Sequence, residues 1–253
     1  MARINFDGGA VTAPVPPVMV TVGEGDEVNV LTIGWTGILA TVPPKTYISV
    51  RPSRHSYKLL KKYGEFVINL ATSKMARTVD YVGIYTGAKV KKLEKCKLTL
   101  TKSEHVGAPS IAECPISIEC RVTDVIPMGS HDVFVADILG FTCDESIVTK
   151  DGKIEFDKAD LLAYAHGEYF ALGEKVGKFG FSTKPEKEKK PRSQACAQAK
   201  IDAKSQPPHA ARSVNDKKAN ASEGVSPTTN TTGEGSAKPK PFYEDLLKKK
   251  KRR

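Results

Sequence analysis

The run Ser49-Val-Arg-Pro-Ser-Arg-His-Ser-Tyr57 gathers the guanidinium groups of Arg51 and Arg54 and the hydroxyls of Ser53 and Ser56 where a short apolar strand gives way to a helical pattern. A helix start holds free N–H groups and a partial positive charge, so cations and hydroxyls collected there suit a phosphate dianion. The other reading is that Ser53 or Ser56 only caps the helix while the arginines are solvated, and spacing leaves both open. Upstream, Asn29-Val-Leu-Thr-Ile-Gly-Trp-Thr-Gly37 sets the small donors Asn29, Thr32 and Thr36 around the one tryptophan, Trp35, on an apolar strand. That strand suits a flat polar ring. A ring carrying a phosphate at one end has the shape of a flavin nucleotide. Two residues keep a second reading: Trp35 also fits as a packed core aromatic, and His131, in Gly129-Ser-His-Asp132, also fits as a turn residue that satisfies backbone groups.

The elements that must position these groups are mostly strands. Tyr47-Ile-Ser-Val50 and Phe66-Val-Ile-Asn-Leu70 are short β-branched and aromatic runs bounded by Pro43-Pro44 and Gly64-Glu65. Residues 53–62 between them read as an amphipathic helix with Tyr57, Leu59, Leu60 and Tyr63 on its buried side. Residues 18–22 and 28–33 flank the turn Gly23-Glu-Gly-Asp-Glu27, a hairpin signal, and further strands are expected over 115–125 and 132–141. Helices are expected near 73–83 and 87–94. Many strands and few helices predict a mainly β fold, a closed antiparallel barrel in which closure removes exposed edges.

Charge divides the chain in two. Residues 1–182 carry 21 Lys plus Arg against 21 Asp plus Glu, a net charge of zero; residues 183–253 carry 18 against 8, a net +10. A neutral body argues against a nucleic-acid-binding fold, which needs a basic face to displace counterions. The tail is rich in Lys, Ser, Pro, Ala and Thr, which bury too little apolar surface to offset ordering entropy, so 183–253 is expected to be disordered. Its end, Pro241-Phe-Tyr-Glu-Asp-Leu-Leu-Lys-Lys-Lys-Lys-Arg-Arg253, has the acids-early, bases-late order of a short helix. Two roles stay open for the tail: a solvated extension, or a basic segment that meets an anionic partner such as RNA. The five cysteines show no C-x-x-C pair and no histidine at metal-ligand spacing, so reduced thiols and no metal are expected, with Cys114 and Cys120 in the core. No membrane-spanning stretch or leader pattern is visible, and the cytoplasm is the expected location. No Gly-x-Gly-x-x-Gly fingerprint sits in a βαβ setting, so a nicotinamide dinucleotide would have to stack in an open groove.

Several motifs in one order carry a family likeness: residues 29–37, Pro43-Pro44, residues 49–57, Gly64-Glu-Phe-Val-Ile-Asn69, Asp80-Tyr-Val-Gly83, Ala112-Glu-Cys-Pro115, Glu119-Cys-Arg121, Gly129-Ser-His-Asp132 and Tyr169-Phe-Ala-Leu-Gly173. Residues 10–182 thereby resemble the flavin reductase-like family, especially its flavoredoxin-type branch. The resemblance implies an FMN-binding split β-barrel with Greek-key order, a homodimer, and a flavin groove near the subunit interface. It places Asn29, Thr32, Trp35 and Thr36 along the isoalloxazine ring, Ser49, Val50 and Arg51 along the ribityl chain, and Ser53, Ser56 and Arg51 or Arg54 at the phosphate. His131 would face the nicotinamide or the outer flavin face, and Lys89, Lys91 and Lys92 would help to hold the cofactor. Position 82 is Val where many relatives carry Cys, so a thiol role there is absent. The implied activity is electron transfer between NAD(P)H and flavin or a protein acceptor. A flavoredoxin-type carrier that does not itself oxidise NAD(P)H is the alternative. The flavin supplies the redox step, which accounts for the lack of a catalytic triad or paired carboxylates.

Overall fold

The computed structural model describes residues 3–183. Residues up to Lys175 form one unit, and 176–183 belong to another, with a 3-10 turn at Phe181–Thr183. The expected tail, apart from its first residue, and its terminal helix lie outside the described residues. In chain order the strands are β1 Val18–Val22, β2 Asn29–Ile33, β3 Thr36–Thr41, β4 Pro44–Val50, β5 Glu65–Leu70, β6 Leu100–Thr101, β7 Ser110–Ile111, β8 Ile116–Pro127, β9 Asp132–Cys143, β10 Leu162–Ala165 and β11 Glu168–Ala171. The α-helices are α1 His55–Tyr63, α2 Ala76–Ile84 and α3 Lys92–Lys95.

Seven strands form one antiparallel sheet in the order β2-β1-β5-β8-β9-β4-β3. The expected mainly β barrel is present, but its closure differs from a continuous ladder. The outermost strands, β2 and β3, are consecutive lengths of one chain separated only by Gly34 and Trp35. This stretch pairs with β1 before the bend and with β4 after it. The ring therefore closes through the chain itself, and no ladder joins β2 to β4. Irregular register at Glu119/Cys120 and Val122/Asp124 marks the long β8–β9 pair, where bulges add the bend a curved sheet needs.

Why β1 reads as an unbroken apolar run, Val-Met-Val-Thr-Val, follows from its two neighbours. Val18, Val20 and Val22 point into the barrel with Phe66, Ile48 and Phe134, whereas Met19 packs outward with Val30, Val79 and Val82 beneath α2. A strand covered on both faces has no polar side to alternate with. Asn69 on β5 is fully buried, accepting from the Ile111 N–H (2.9 Å) and the Ser117 hydroxyl (2.8 Å) and donating to the Met19 carbonyl (3.0 Å). Those bonds tie β5 to the loop chain at β7.

The helix after β4 begins two residues later than its pattern suggested. Arg54 takes the N-cap position with extended backbone, and no side chain caps it, so neither Ser53 nor Ser56 serves as the cap. Gly64, in the left-handed region at φ 65°, ends the helix by donating its N–H to the Leu60 carbonyl (2.9 Å). Leu59 and Leu60 are buried and Tyr57 and Tyr63 half-buried against the barrel core, as the amphipathic pattern implied. The expected helix at 73–83 splits into a 3-10 turn at Ser73–Met75 followed by α2, and the one near 87–94 shortens to α3.

Candidate functional site

The bend at Gly34-Trp35 is the floor of a groove. Ser49, at the end of β4, donates its N–H to the Trp35 carbonyl (2.9 Å), which holds the bend against β4 although the ladder stops there. A hollow of 430 Å³ opens over this point, lined by Thr32, Gly34, Trp35, Ser49, Val50 and Arg51 among others. Trp35 is 38 % exposed, so it is a wall of the groove and not a core aromatic. Val50 is almost fully buried in the barrel core and offers the groove little beyond its backbone. α2 approaches closely because position 83 is glycine: a Cβ there would lie 3.2 Å from Thr32 Cβ. Thr32 donates its hydroxyl to the Val79 carbonyl (2.5 Å), which leaves its oxygen as an acceptor.

A second hollow, of 210 Å³, continues from the first, and Arg51 and Arg54 line both. Its walls include Asn29, Ser53, Ser56, His55 and Lys92, and among the described residues no carboxylate lines it. Asn29 donates from Nδ2 to the Ser56 hydroxyl oxygen (2.5 Å), so the Ser56 proton remains free to donate to a ligand. Lys92 is only 4 % exposed and donates from Nζ to the Val82 carbonyl (3.1 Å). Burial, with the Arg54 charge adding to it, pulls its ammonium down to about 8. A cation held this far from water is favoured by an anion beside it, and the start of α1 adds the positive end of a helix dipole. Arg54 is steadied by donating from Nη1 to the Gly83 carbonyl (2.8 Å). The combination, two arginines, one buried lysine, two serines and a helix start, is a candidate anion site.

His131 lines the first hollow. Arg51 Nε donates to His131 Nε2 (3.4 Å), so the proton is assigned to Nδ1, which lies 2.9 Å from the Ser130 hydroxyl. Burial first, then the Arg51 and Arg54 charges, lower its affinity for a second proton and favour the neutral imidazole. Its ring bonds side chains, while its backbone carbonyl accepts from the Met128 N–H (2.8 Å) across the turn. The turn is fixed from below, since Tyr57 donates its phenol to Asp132 (2.5 Å) while packing edge-on to Phe134.

Of the residues singled out in the sequence, Asn29, Thr32, Trp35, Ser49, Val50, Arg51, Ser53, Arg54, Ser56 and His131 line one hollow or the other. Thr36 does not: it is buried and donates its hydroxyl to the Tyr47 carbonyl (2.6 Å) within the β3–β4 pair. Lys92 reaches the anion site, while exposed Lys91 pairs with Glu94 (3.1 Å). Sequence reasoning gave no role to Asp80, Tyr164 or Tyr169, which wall the ring-end hollow opposite β4. Tyr169 donates its phenol to Asp80 (3.2 Å) and lies 5.3 Å, centroid to centroid, from Tyr164. Asp80 does stand in the motif Asp80-Tyr-Val-Gly83, a signal that was available. Cys114 and Cys120 are buried as expected, with both thiols pushed up by burial, that of Cys114 to about 12. Among the described residues no cluster could hold a metal ion, and no helix is long and apolar enough to cross a membrane.

Residues 11–173 match the family described as "Flavin reductase like domain". The chain belongs to this flavin reductase-like family. Within the family, flavoredoxin of Desulfovibrio vulgaris (Miyazaki F) is similar in structure, with a TM-score of 0.68, 28 % identity, and coverage of 72 % of this chain and all of that one. Flavoredoxin from Methanosarcina acetivorans gives a TM-score of 0.67 at 25 % identity, covering 72 % of this chain and 98 % of that one. An uncharacterised protein of Archaeoglobus fulgidus is 35 % identical over 142 residues, 56 % of this chain and 79 % of its own. The family likeness thus spans the barrel and groove and stops short of the basic tail.

Proposed function

We propose that this protein is an FMN-binding oxidoreductase of its family, passing electrons between NAD(P)H and flavin or a protein acceptor, and that it works as a homodimer. The observation that carries the reading is the two-part groove: a ring-sized hollow over the β2–β3 bend runs directly into a carboxylate-free anion site. The donor set fits FMN. Arg51, Arg54, Lys92, Ser53 and Ser56 would hold the phosphate, and Ser49 and Arg51 would follow the ribityl chain. Thr32, Trp35 and the peptide groups at 34–35 would lie along the ring. Thr36 is left out of that set, because its hydroxyl is already committed to Tyr47. Bound FMN would supply the hydride and electron chemistry. The chain's own residues hold the ring's polar edge against backbone donors and keep His131 neutral at the ring face, with Tyr169 and Asp80 walling the opposite side.

The electron-carrier reading is favoured by one observation, the similarity of 72 % of this chain to flavoredoxin over that protein's full length. An anaerobic titration of FMN-loaded protein with NADH and then NADPH separates the two, read from the flavin absorption band. Rapid bleaching is expected for the reductase, and it ranks the donors. A band that persists with both, yet bleaches with dithionite, refutes nicotinamide oxidation and leaves the carrier.

Gly87 tests the anion site by a different route. A Cβ at this position would come within 2.1 Å of Asn29 Oδ1. Gly87→Ala is expected to push the Asn29 amide off Ser56 and to weaken FMN binding about tenfold, the loss of one hydrogen bond of about 1.4 kcal/mol. Riboflavin, which has no phosphate, should bind the variant and the parent alike in a fluorescence titration.

A further inference from the structure

We propose that Lys92 is a modification site, at which a small acyl phosphate seats its phosphate in the anion site and transfers its acyl group to Nζ. The inference rests on the anion site of the reading above and not on its redox chemistry, and it gives that site a means of being switched off. Lys92 lines the 210 Å³ hollow together with Arg51, Arg54, Ser53 and Ser56. It also lines a further space of 630 Å³ bordered by the β1–β2 turn, α1 and the segment leading into α3. A side chain that bulk water hardly reaches thus borders open space on two sides.

Only a neutral amine attacks a carbonyl carbon, and desolvation beside another cation is what makes a lysine neutral. Burial, then the Arg54 charge, lowers the Lys92 ammonium from the ordinary 10.5 to about 8. At pH 7 roughly a tenth of it is neutral, about 300-fold the share of an ordinary lysine. Position supplies the other half. An acyl phosphate carries its carbonyl one oxygen away from phosphorus, so a phosphate held by the arginines and serine hydroxyls brings the acyl carbon to the wall where Lys92 sits. In the step, the Nζ lone pair bonds to the acyl carbon and the bond from that carbon to the bridging oxygen breaks. The departing phosphate takes the amine's proton, so the products are an amide and hydrogen phosphate, with no change of oxidation state. The bound phosphate favours the ammonium form, and a less basic amine is a poorer nucleophile; both reduce the gain in rate. The amide is uncharged, so acylation removes the buried cation from the anion site.

The test is mass-spectrometric mapping of the full-length protein during incubation with acetyl phosphate at pH 7. Lys91 is the internal reference, because it is the neighbouring residue, is exposed and pairs with Glu94. Lys92 is expected to gain acetyl at least tenfold faster than Lys91. Inorganic phosphate should slow Lys92 fivefold or more while Lys91 stays within about twofold, and Arg51→Ala with Arg54→Ala should lower the Lys92-to-Lys91 ratio at least fivefold. Equal rates at the two lysines overturn the proposal. So does a fast Lys92 that inorganic phosphate does not protect, because the acyl donor is then not using the anion site. The flavin reading fails separately, in a fluorescence titration that shows no FMN binding; phosphate-protected acetylation of Lys92 in that case keeps the modification site and discards the flavin.

Discussion

Replacing Lys92 with Met is expected to have effects of opposite sign on the free and the flavin-loaded protein. The free protein should become more stable, because the substitution removes a desolvated charge and puts an apolar chain of similar length in its place. FMN affinity should fall about 10- to 100-fold, the equivalent of one charge-assisted hydrogen bond of about 1.5–3 kcal/mol. Thermal unfolding with and without FMN reads both effects at once. The variant should melt higher than the parent alone and lower than the parent when each is loaded with the same FMN concentration. A fall in the free protein's melting temperature would contradict the account of Lys92 as a buried cation waiting for an anion.

The same lysine sets a pH dependence whose sign can be worked out. Burial lowers its ammonium from the ordinary 10.5 to about 8 in the folded protein. Between those values the unfolded chain binds a proton that the folded chain lacks, so Lys92's contribution to stability rises with pH across that window. Phosphate binding runs the other way. Below about pH 8 the lysine is already charged, and above it each binding event must take up a proton, so FMN affinity should fall as pH rises, by up to about tenfold per unit. Lys92→Met should flatten that slope.

The second large effect is expected from Arg51→Ala with Arg54→Ala. Two partly solvated guanidiniums removed together should weaken FMN by about 3 kcal/mol, roughly 100-fold, and weaken riboflavin, which keeps the ribityl chain beside Arg51 but has no phosphate, much less. The double variant has a second readout at the ring end. Burial first, and then the charges of both arginines, hold His131 below its ordinary protonation range, so loss of the arginines should move the His131 proton NMR titration part of the way upward. A weakened FMN site with an unmoved His131 would mean that the arginines serve the phosphate alone. An unchanged FMN affinity would remove them from the anion site.

Much of this arrangement was legible in the residues, and the rest was hidden for identifiable reasons. Strands such as β5 and β9 show themselves through β-branched and aromatic runs, and the hairpin at 23–27 through its glycines. The start of α1 was misplaced because serines advertise themselves as caps. Ser56 instead faces inward, held by Asn29 from a strand 27 residues earlier in the chain, a partnership with no local signature. Lys92 sits in a run with Lys89 and Lys91 that reads as a solvated face, and only burial tells it apart from exposed Lys91. Asp80 and Tyr169 are 89 residues apart, and nothing short of the fold brings them to one wall. Thr36 errs in the opposite way, as a hydroxyl in a motif that the β3–β4 ladder has already claimed.

The seam between β2 and β4 has a kinetic consequence. Where two strands share a ladder, parting them means unzipping backbone bonds one after another. Here β2 and β4 share none, and the bend at residues 34–35 is held to the end of β4 by the Ser49–Trp35 backbone bond. The mouth of the groove can widen by bending there while each half keeps its full ladder. Opening there must part the Ser49–Trp35 backbone bond, beside the exposed Arg51–His131 contact. Ligand passage that parts this bond should leave the ladders intact, so the Ser49 amide is expected to exchange its hydrogen faster than the amides paired within the β1–β2 and β5–β8 ladders.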